Sequence, residues 1–218
     1  MTSTRTNQRF VTRDRILTTA RHLFRNASFA QVGVREIAAE SGVATGTVIA
    51  AFGSKGDLLT TIILEDLQRQ LVLMQAAVLT ADSTPDRIVA LCQACLTYQS
   101  AQLSIVRASM ADSWTHSDET ENCVRTAVKP LLMFVVKELE RGTQRCEIRP
   151  DINLKLTAHM IFDSVISHYR QMIYGDVTGT NLKNMLQERL KFIMRSVATQ
   201  QALDQNHQAF VRHQDVAA

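Results

Sequence analysis

Positive charge is concentrated at the start of this 218-residue chain. Residues 1–60 carry eight Lys and Arg against four Asp and Glu, a net charge of +4, whereas the remaining residues sum to −1. A small basic segment on a nearly neutral body indicates contact with a polyanion. A solvated, arginine-rich helix would give the same pattern, so this observation needs support from the elements that carry the charges.

The cysteine and histidine spacings do not predict catalysis or metal binding. Cys92 and Cys95 form one C-x-x-C, but no second pair or close histidine pair completes a zinc set. We interpret them as small apolar side chains of a helix, with a redox or metal role as the alternative. His159 and His168 lie on an apolar helix without a nucleophile motif, and we expect core or interface histidines rather than ligand contacts. No enzyme activity, cofactor or metal is expected.

Composition and periodicity predict an all-α fold. Gly and Pro together make up 11 residues, which is few for a chain with many turns or strands. No apolar run approaches the roughly 20 residues of a membrane span, and the first residues lack the hydrophobic segment of a secretory signal. We therefore expect a cytoplasmic protein with no membrane partner.

Apolar spacing predicts about nine helices in two domains. A basic N-terminal arm precedes an amphipathic helix that begins near Arg13, and Val34–Glu40 and residues 45–51 form two short helices joined by Ser41 and Gly42. A long helix from Leu58, with Thr84 and Pro85 starting the next, leads into helices over 86–112, 118–141, 152–173 and 180–198. Residues 1–54 are thus predicted to form a helix-turn-helix DNA-binding head, and residues 55–218 a larger helical body for ligand binding and dimerisation.

The segment from Arg15 to Leu59 resembles the TetR family of one-component transcriptional repressors. The matching motifs are RIL (15–17), ARHLF (20–24), VREIA (34–38), SGV (41–43), GTV (46–48) and FGSKGDLL (52–59). They cover about a fifth of the chain, and their order and spacing make the resemblance specific. The remainder is similar to the family in length and helical character.

The resemblance implies that residues 45–51 are a recognition helix entering the major groove of an operator. Expected DNA contacts are base edges for Ala44, Thr45 and Thr47, a base or phosphate for Arg35, a phosphate for Lys55, and the adjacent minor groove for Arg5, Arg9 and Arg13. Four positions depart from the family pattern. Ile49 replaces a phosphate-binding tyrosine, Ala50 and Ala51 replace a basic or polar pair, and Gly33 replaces a capping threonine; no Lys or Arg lies between Arg35 and Lys55.

The body is expected, by the resemblance, to enclose a mostly apolar cavity for a hydrophobic or aromatic effector. The candidate lining residues are Cys92, Leu96, Met110, Trp114, Met133, Phe134, Phe162 and Tyr169, with ordinary core packing as the alternative for each. A metal site at Asp112 and His116, beside Trp114, lacks further ligands of fitting spacing. Two broad apolar stripes on the last two helices predict a homodimer surface at Leu156, Ile166, Leu182, Leu186, Arg189, Ile193 and Val197.

Together these features predict a homodimeric, ligand-responsive repressor that binds double-stranded DNA at a palindromic operator. The missing tyrosine and basic pair support an alternative of another class. In that alternative the protein is a dimeric small-molecule-binding or interaction module whose head has lost DNA binding.

Overall fold

The computed structural model describes residues 2–115, 117–175, 179–202 and 204, of which residues 2–5, 179 and 180 are described by their backbone. The fold of this part is all-α, as predicted. The helices are α1 (Thr2–Asn26), α2 (Val34–Glu40), α3 (Thr45–Phe52), α4 (Lys55–Ala77), α5 (Thr84–Ser100), α6 (Leu103–Asp112), α7 (Asp118–Gln144), α8 (Leu154–Tyr174) and α9 (Gly179–Val197), with a 3-10 turn at Val78–Thr80. His116 lies outside the described residues.

Two of the predicted helical segments differ clearly from the observed helices. Helix α1 begins at Thr2 rather than near Arg13, so the predicted basic arm is the first part of a helix. No Gly or Pro precedes Arg13, and nothing in the chain therefore stops the helix from extending to the N-terminal side. The predicted helix over 86–112 is interrupted between α5 and α6, where Gln102 has a non-helical backbone (φ −145°, ψ 45°).

The chain divides into two compact units. The first contains the chain up to Gln68 together with Gln99–Ala127, and the second contains Arg69–Tyr98 and the chain from Val128. These units divide the chain differently from the sequence boundary between residues 54 and 55, which stays a prediction about domains. In α7 the division falls between Ala127 and Val128, close to Pro130, which lies inside the helix.

The core of the first unit joins α1, α2, α3, α4 and α6. Its fully buried side chains include Ile16 and Phe24 of α1, Ile37 of α2, and Leu58 and Leu59 of α4. Ile105 and Ala108 of α6 belong to the same core. Burying each large apolar side chain contributes about 1.5–3 kcal/mol. The short helices α2, α3 and α6 are therefore stabilised mainly by this packing.

A buried polar network lies beside this core. Arg21 of α1 forms ion pairs with Asp66 and Glu65 of α4; the guanidinium-to-Glu65 distance is 2.9 Å. Gln102, at the start of α6, donates through Nε2 to the Asp66 carboxylate at 2.9 Å, and Arg25 donates to Gln102 Oε1 at 3.1 Å. Three elements of the first unit are therefore tied together by hydrogen bonds that satisfy buried charges.

The second unit is built largely on the packing of α8 against α9. Ile161 and Val165 of α8 and Leu186, Leu190 and Met194 of α9 are buried. No single helix among the described residues is long and apolar enough to cross a membrane. The helices Thr45–Phe52 and Lys55–Thr80 reach the length and apolar composition of a membrane span only when they are taken together, and they are bent by 57° relative to each other.

Candidate nucleic-acid interface

A short turn sets α3 against α2. Gly42 adopts a left-handed backbone (φ 63°), which favours glycine, and its N–H donates to Ala39 O at 3.1 Å. The Val43 N–H donates to Ala38 O at 3.0 Å, and its side chain packs against the core. The turn thus closes α2 and fixes the direction in which α3 leaves it, which is the arrangement of a helix-turn-helix.

Helix α3 presents one face to solvent. Val48 and Phe52 are buried, whereas Thr45, Thr47 and Ile49 are exposed. Ala44, the residue that precedes the helix, is exposed beside them. The structure therefore brings the three predicted base-contacting residues, Ala44, Thr45 and Thr47, to one accessible end of α3. Arg35 is exposed near the start of α2, with its side chain outside the buried core.

Two of the predicted DNA-binding cations make contacts within the first unit. The Lys55 ammonium donates to Phe29 O at 2.8 Å and to Val32 O at 3.0 Å, and lies 4.4 Å from the Phe29 ring centroid. Arg13 donates to Ala51 O at 2.9 Å, and its guanidinium carbon lies 4.2 Å from the Phe52 ring centroid. Lys55 therefore anchors the loop between α1 and α2, and Arg13 holds α1 to the end of α3.

The N-terminal part of α1 runs alongside α3 and leaves a groove of about 860 Å³ between the two helices. Its walls include Gln8, Arg9 and Thr12 of α1 and Gly46, Thr47 and Ala50 of α3. The side chain of Arg5 lies outside the described residues. A helix with its side chains is about 10–12 Å across and the DNA minor groove about 6 Å wide, so the helical form of residues 2–13 does not suit insertion there.

The predicted effector-lining residues do not form one cluster. Cys92, Leu96 and Tyr169 are buried in the second unit, and Phe134 and Phe162 are half-buried there. Trp114 is 84% exposed and Met133 is exposed, so neither lines an enclosed cavity here. Trp114 follows the end of α6 and therefore lies in the connection to α7, off the apolar face of either helix. Met110 of α6 is half-buried in the first unit.

The buried part of this set is chemically inert. Burial raises the pKa of Cys95 to about 12 and that of Cys92 well above its usual value. Burial also raises the pKa of Tyr169, with the Cys95 and Cys92 thiols adding to the effect. The Tyr169 hydroxyl donates to Gln70 Oε1 at 3.4 Å. Both thiols are therefore protonated at neutral pH, which disfavours a nucleophilic or metal-binding role.

The accessible apolar surface of α8 and α9 differs from the predicted set. Leu156 and Ile166 are exposed as expected, and Arg189 is half-buried, donating to Ser167 Oγ at 3.2 Å. The four remaining predicted residues, Leu182, Leu186, Ile193 and Val197, are buried within their own protomer and have little surface to offer a partner. Met160 and Met185, which belong to the same predicted stripes, are also exposed, and Phe192 is an exposed apolar side chain that sequence reasoning did not select.

A second cavity was also missed at the sequence level. It has a volume of about 730 Å³, and its walls include Leu64 and Gln68 of α4 and Glu119, Cys123 and Thr126 of α7. All of these residues belong to the first unit. No spacing rule relates α4 to α7, because the two helices meet only through the tertiary fold.

Helices α1 to α3, with α3 exposed, form a helix-turn-helix of the kind that places its last helix in the major groove of DNA. A family profile described as bacterial regulatory proteins of the tetR family matches residues 16–62. The HTH-type transcriptional regulator UidR of Escherichia coli K12 is 27% identical over 156 residues, covering 70% of this chain and 76% of the relative. The chain is thus similar to TetR-family transcriptional regulators, most specifically over its helix-turn-helix segment.

Solved structures share the fold over most of the chain. The fatty acid degradation regulator FadR of Bacillus halodurans superposes with a TM-score of 0.71 at 17% identity, covering 84% of this chain and 94% of that one. FadR of Bacillus subtilis in complex with stearoyl-CoA gives a TM-score of 0.70 at 18% identity, with coverage of 83% and 96%. At these identities the likeness describes the fold alone.

Proposed function

We propose that this regulator is a homodimeric, cytoplasmic repressor that binds a palindromic operator and is released by a small hydrophobic or aromatic effector. The observation that carries the DNA-binding part is the exposed end of α3 with Ala44, Thr45 and Thr47 together. Threonine hydroxyls and methyls can bond base edges or contact thymine methyl groups in the major groove. Arg35, on the neighbouring helix, would contact a base or a phosphate.

The apolar side chains exposed on α8 and α9 support the dimer. Leu156, Met160, Ile166 and Met185 are exposed, and Phe192 is 76% exposed. An apolar set of this size on two adjacent helices favours burial against a second copy about a two-fold axis. A Phe192→Asp variant should shift the protein towards monomer in sedimentation velocity, and a matched Lys191→Asp change on the neighbouring residue should leave the dimer intact.

The hydrophobic class of effector is supported by the buried Cys92, Leu96 and Tyr169 and by the stearoyl-CoA bound to the Bacillus subtilis FadR relative. An effector changes DNA affinity only if it binds the two conformations of the regulator unequally. Typical couplings of this kind are about 1–3 kcal/mol, which corresponds to about 5- to 150-fold in operator affinity.

The test is fluorescence anisotropy of the purified protein with its own upstream DNA and a scrambled duplex, at two salt concentrations. We expect preferential binding to the upstream DNA that weakens with salt, since phosphate neutralisation gives a negative log–log slope. Substituting Arg35 by Gln should lower affinity without unfolding the protein. Equal, weak binding to both duplexes at both salt concentrations, including after refolding without ligand, would favour the module that has lost DNA binding.

A further inference from the structure

The recognition helix of this regulator lacks the cations with which a DNA-binding helix grips phosphates. No Lys or Arg lies between Arg35 and Lys55, and α3 carries Ile49, Ala50 and Ala51 along its second half. Lys55 is already bonded to two backbone carbonyls. Phosphate contacts dominate the affinity of proteins for DNA, so an operator complex needs positive charge from another element close to α3.

Helix α1 brings such a charge to the edge of α3. The residues of α1 that face the groove, Gln8, Arg9, Thr12 and Arg13, are spaced as one face of a helix. Arg13 is bonded to Ala51 O and fixes the distance between the two helices. Arg9 lies one turn earlier on the same face, is exposed, and has no hydrogen bond or ion pair within the part of the chain that the structure describes.

The groove itself suits an anionic strand. None of its lining residues is acidic, and Gln8, Thr12 and Thr47 add neutral hydrogen-bond donors to the charge of Arg9. The α3 wall is formed by small side chains at Gly46, Ala50 and Ala51, which leave the space open. Ala50 and Ala51 are the positions at which a basic or polar pair is absent, so the substitutions that remove charge from α3 also make room beside it.

The position of the groove fits a helix in the major groove. The major groove is about 12 Å wide and a helix with its side chains nearly fills it, so the sugar–phosphate strands run directly along the flanks of the helix. The α1 face lies at one flank of α3. We propose that the groove between α1 and α3 binds one phosphodiester strand of the operator, with Arg9 as its main cationic contact.

This inference rests on the proposed DNA-binding function and adds a contact that precedes residues 16–62, the segment matched by the family profile. It also assigns Arg13 a positioning role, because its guanidinium is used to hold α1 against α3. Arg9 binds phosphate in this arrangement and contributes affinity without reading sequence.

The test compares Arg9→Gln with Arg15→Gln in the full-length protein. Arg15 is an exposed arginine on the same helix that does not line the groove, so both variants lose the same charge. Affinity for upstream and scrambled duplexes is measured by anisotropy from 50 to 200 mM salt. Circular dichroism and the thermal midpoint establish that each variant is folded.

We expect Arg9→Gln to weaken binding to both duplexes by a similar factor, about 10- to 100-fold for a dimer that loses two phosphate contacts. The log–log salt slope should become less negative by about 2, since each lost phosphate contact removes about 0.9. Arg15→Gln should change both quantities much less. An Ala50→Leu variant, which narrows the groove and keeps every charge, should also weaken binding.

The outcomes separate this inference from the function on which it rests. If the unaltered protein binds its upstream DNA but Arg9→Gln matches Arg15→Gln in affinity and slope, the groove does not bind the strand and the repressor function stands. A loss confined to the upstream duplex would make Arg9 a base reader, which also overturns the proposal. If the unaltered protein binds neither duplex, the function and the groove assignment fail together.

Discussion

Replacing Asp66 by Asn should destabilise the first unit by about 2–3 kcal/mol. Asp66 is 3% exposed and Arg21 is 7% exposed, and the two form a buried ion pair. Removing one partner of such a pair costs about 3–5 kcal/mol, because the other charge stays buried without compensation. Glu65, whose side chain is 34% exposed, still pairs with Arg21 at 2.9 Å, so the loss should fall below that range. Asparagine keeps an oxygen that can accept the hydrogen bond from Gln102. The substitution therefore measures the effect of losing the negative charge alone.

The assay is urea unfolding followed by circular dichroism at one fixed protein concentration. Glu65→Gln is the matched control and should cost less than about 1 kcal/mol, since its partner remains paired with Asp66 and solvent screens the exposed carboxylate. A double Arg21→Met, Asp66→Leu variant should recover most of the lost free energy of unfolding, because no charge is left buried. Equal losses for Asp66→Asn and Glu65→Gln would refute the reasoning that Arg21 depends mainly on Asp66.

Three further substitutions test local features of the fold. Gly33→Ser should raise the free energy of unfolding by about 0.5–1 kcal/mol in thermal melts. The backbone of Gly33 is extended (φ −98°, ψ 152°) and the space around it is open, so a serine hydroxyl can cap α2 there. Gly33→Ala, which adds no hydroxyl, should raise the free energy of unfolding by less. Gly142→Ala should cost about 1–3 kcal/mol in urea unfolding, because the added methyl would lie 2.7 Å from Ile148 Cγ1; no loss would mean that the neighbouring side chains move freely. Burial lowers the pKa of His168 in the folded protein below the ordinary histidine value of about 6.5. Just below that pH the unfolded chain therefore binds more protons than the folded protein, and the free energy of unfolding should fall as the pH drops from 7 to 5.5. A His168→Gln variant should flatten this part of the profile.

The sequence predicted the helix-turn-helix well, because its boundaries are set by local chemistry. Helix α2 spans Val34–Glu40 as expected, between an extended Gly33 and the Ser41–Gly42 turn. Helix α3 ends one residue later than predicted, at Phe52, before Gly53 with a positive φ of 85°. Such stops depend on residues adjacent in the chain, which spacing and residue type reveal directly.

The features that sequence reasoning missed depend on distant partners. The break between α5 and α6 contains neither Gly nor Pro, and Gln102 is instead held by Asp66 and Arg25. The engagement of Lys55 with Phe29 and Val32 joins residues more than 20 positions apart. The sequence alone does not distinguish a Lys or Arg that is available to DNA from one whose charge is already bonded to backbone carbonyls.

The outward face of α9 could not be chosen from the sequence for a related reason. Leu182 and Leu186 share one apolar stripe and Met185 and Phe192 lie on another, so periodicity alone permits either to be the outer surface. Packing against α8 determines which stripe faces the protein interior, since it buries Leu182 and Leu186 and leaves Phe192 exposed. A helix that is apolar over much of its circumference reveals that it is buried on two sides but not which side meets its own protomer.

The participation of α6 in the core around α2 and α3 bears on how an effector could act on the DNA-binding head. Ile105 and Ala108 pack in the same core as Phe24 and Leu59, and Gln102 at the start of α6 bonds to Asp66. A displacement of α6 would therefore open the apolar core or break the buried hydrogen bond unless α1 and α4 moved with it. Packed cores resist such partial changes and favour discrete arrangements. The same packing argues that residues 1–54 alone would lack part of their core, so α3 and α6 belong to one cooperative unit.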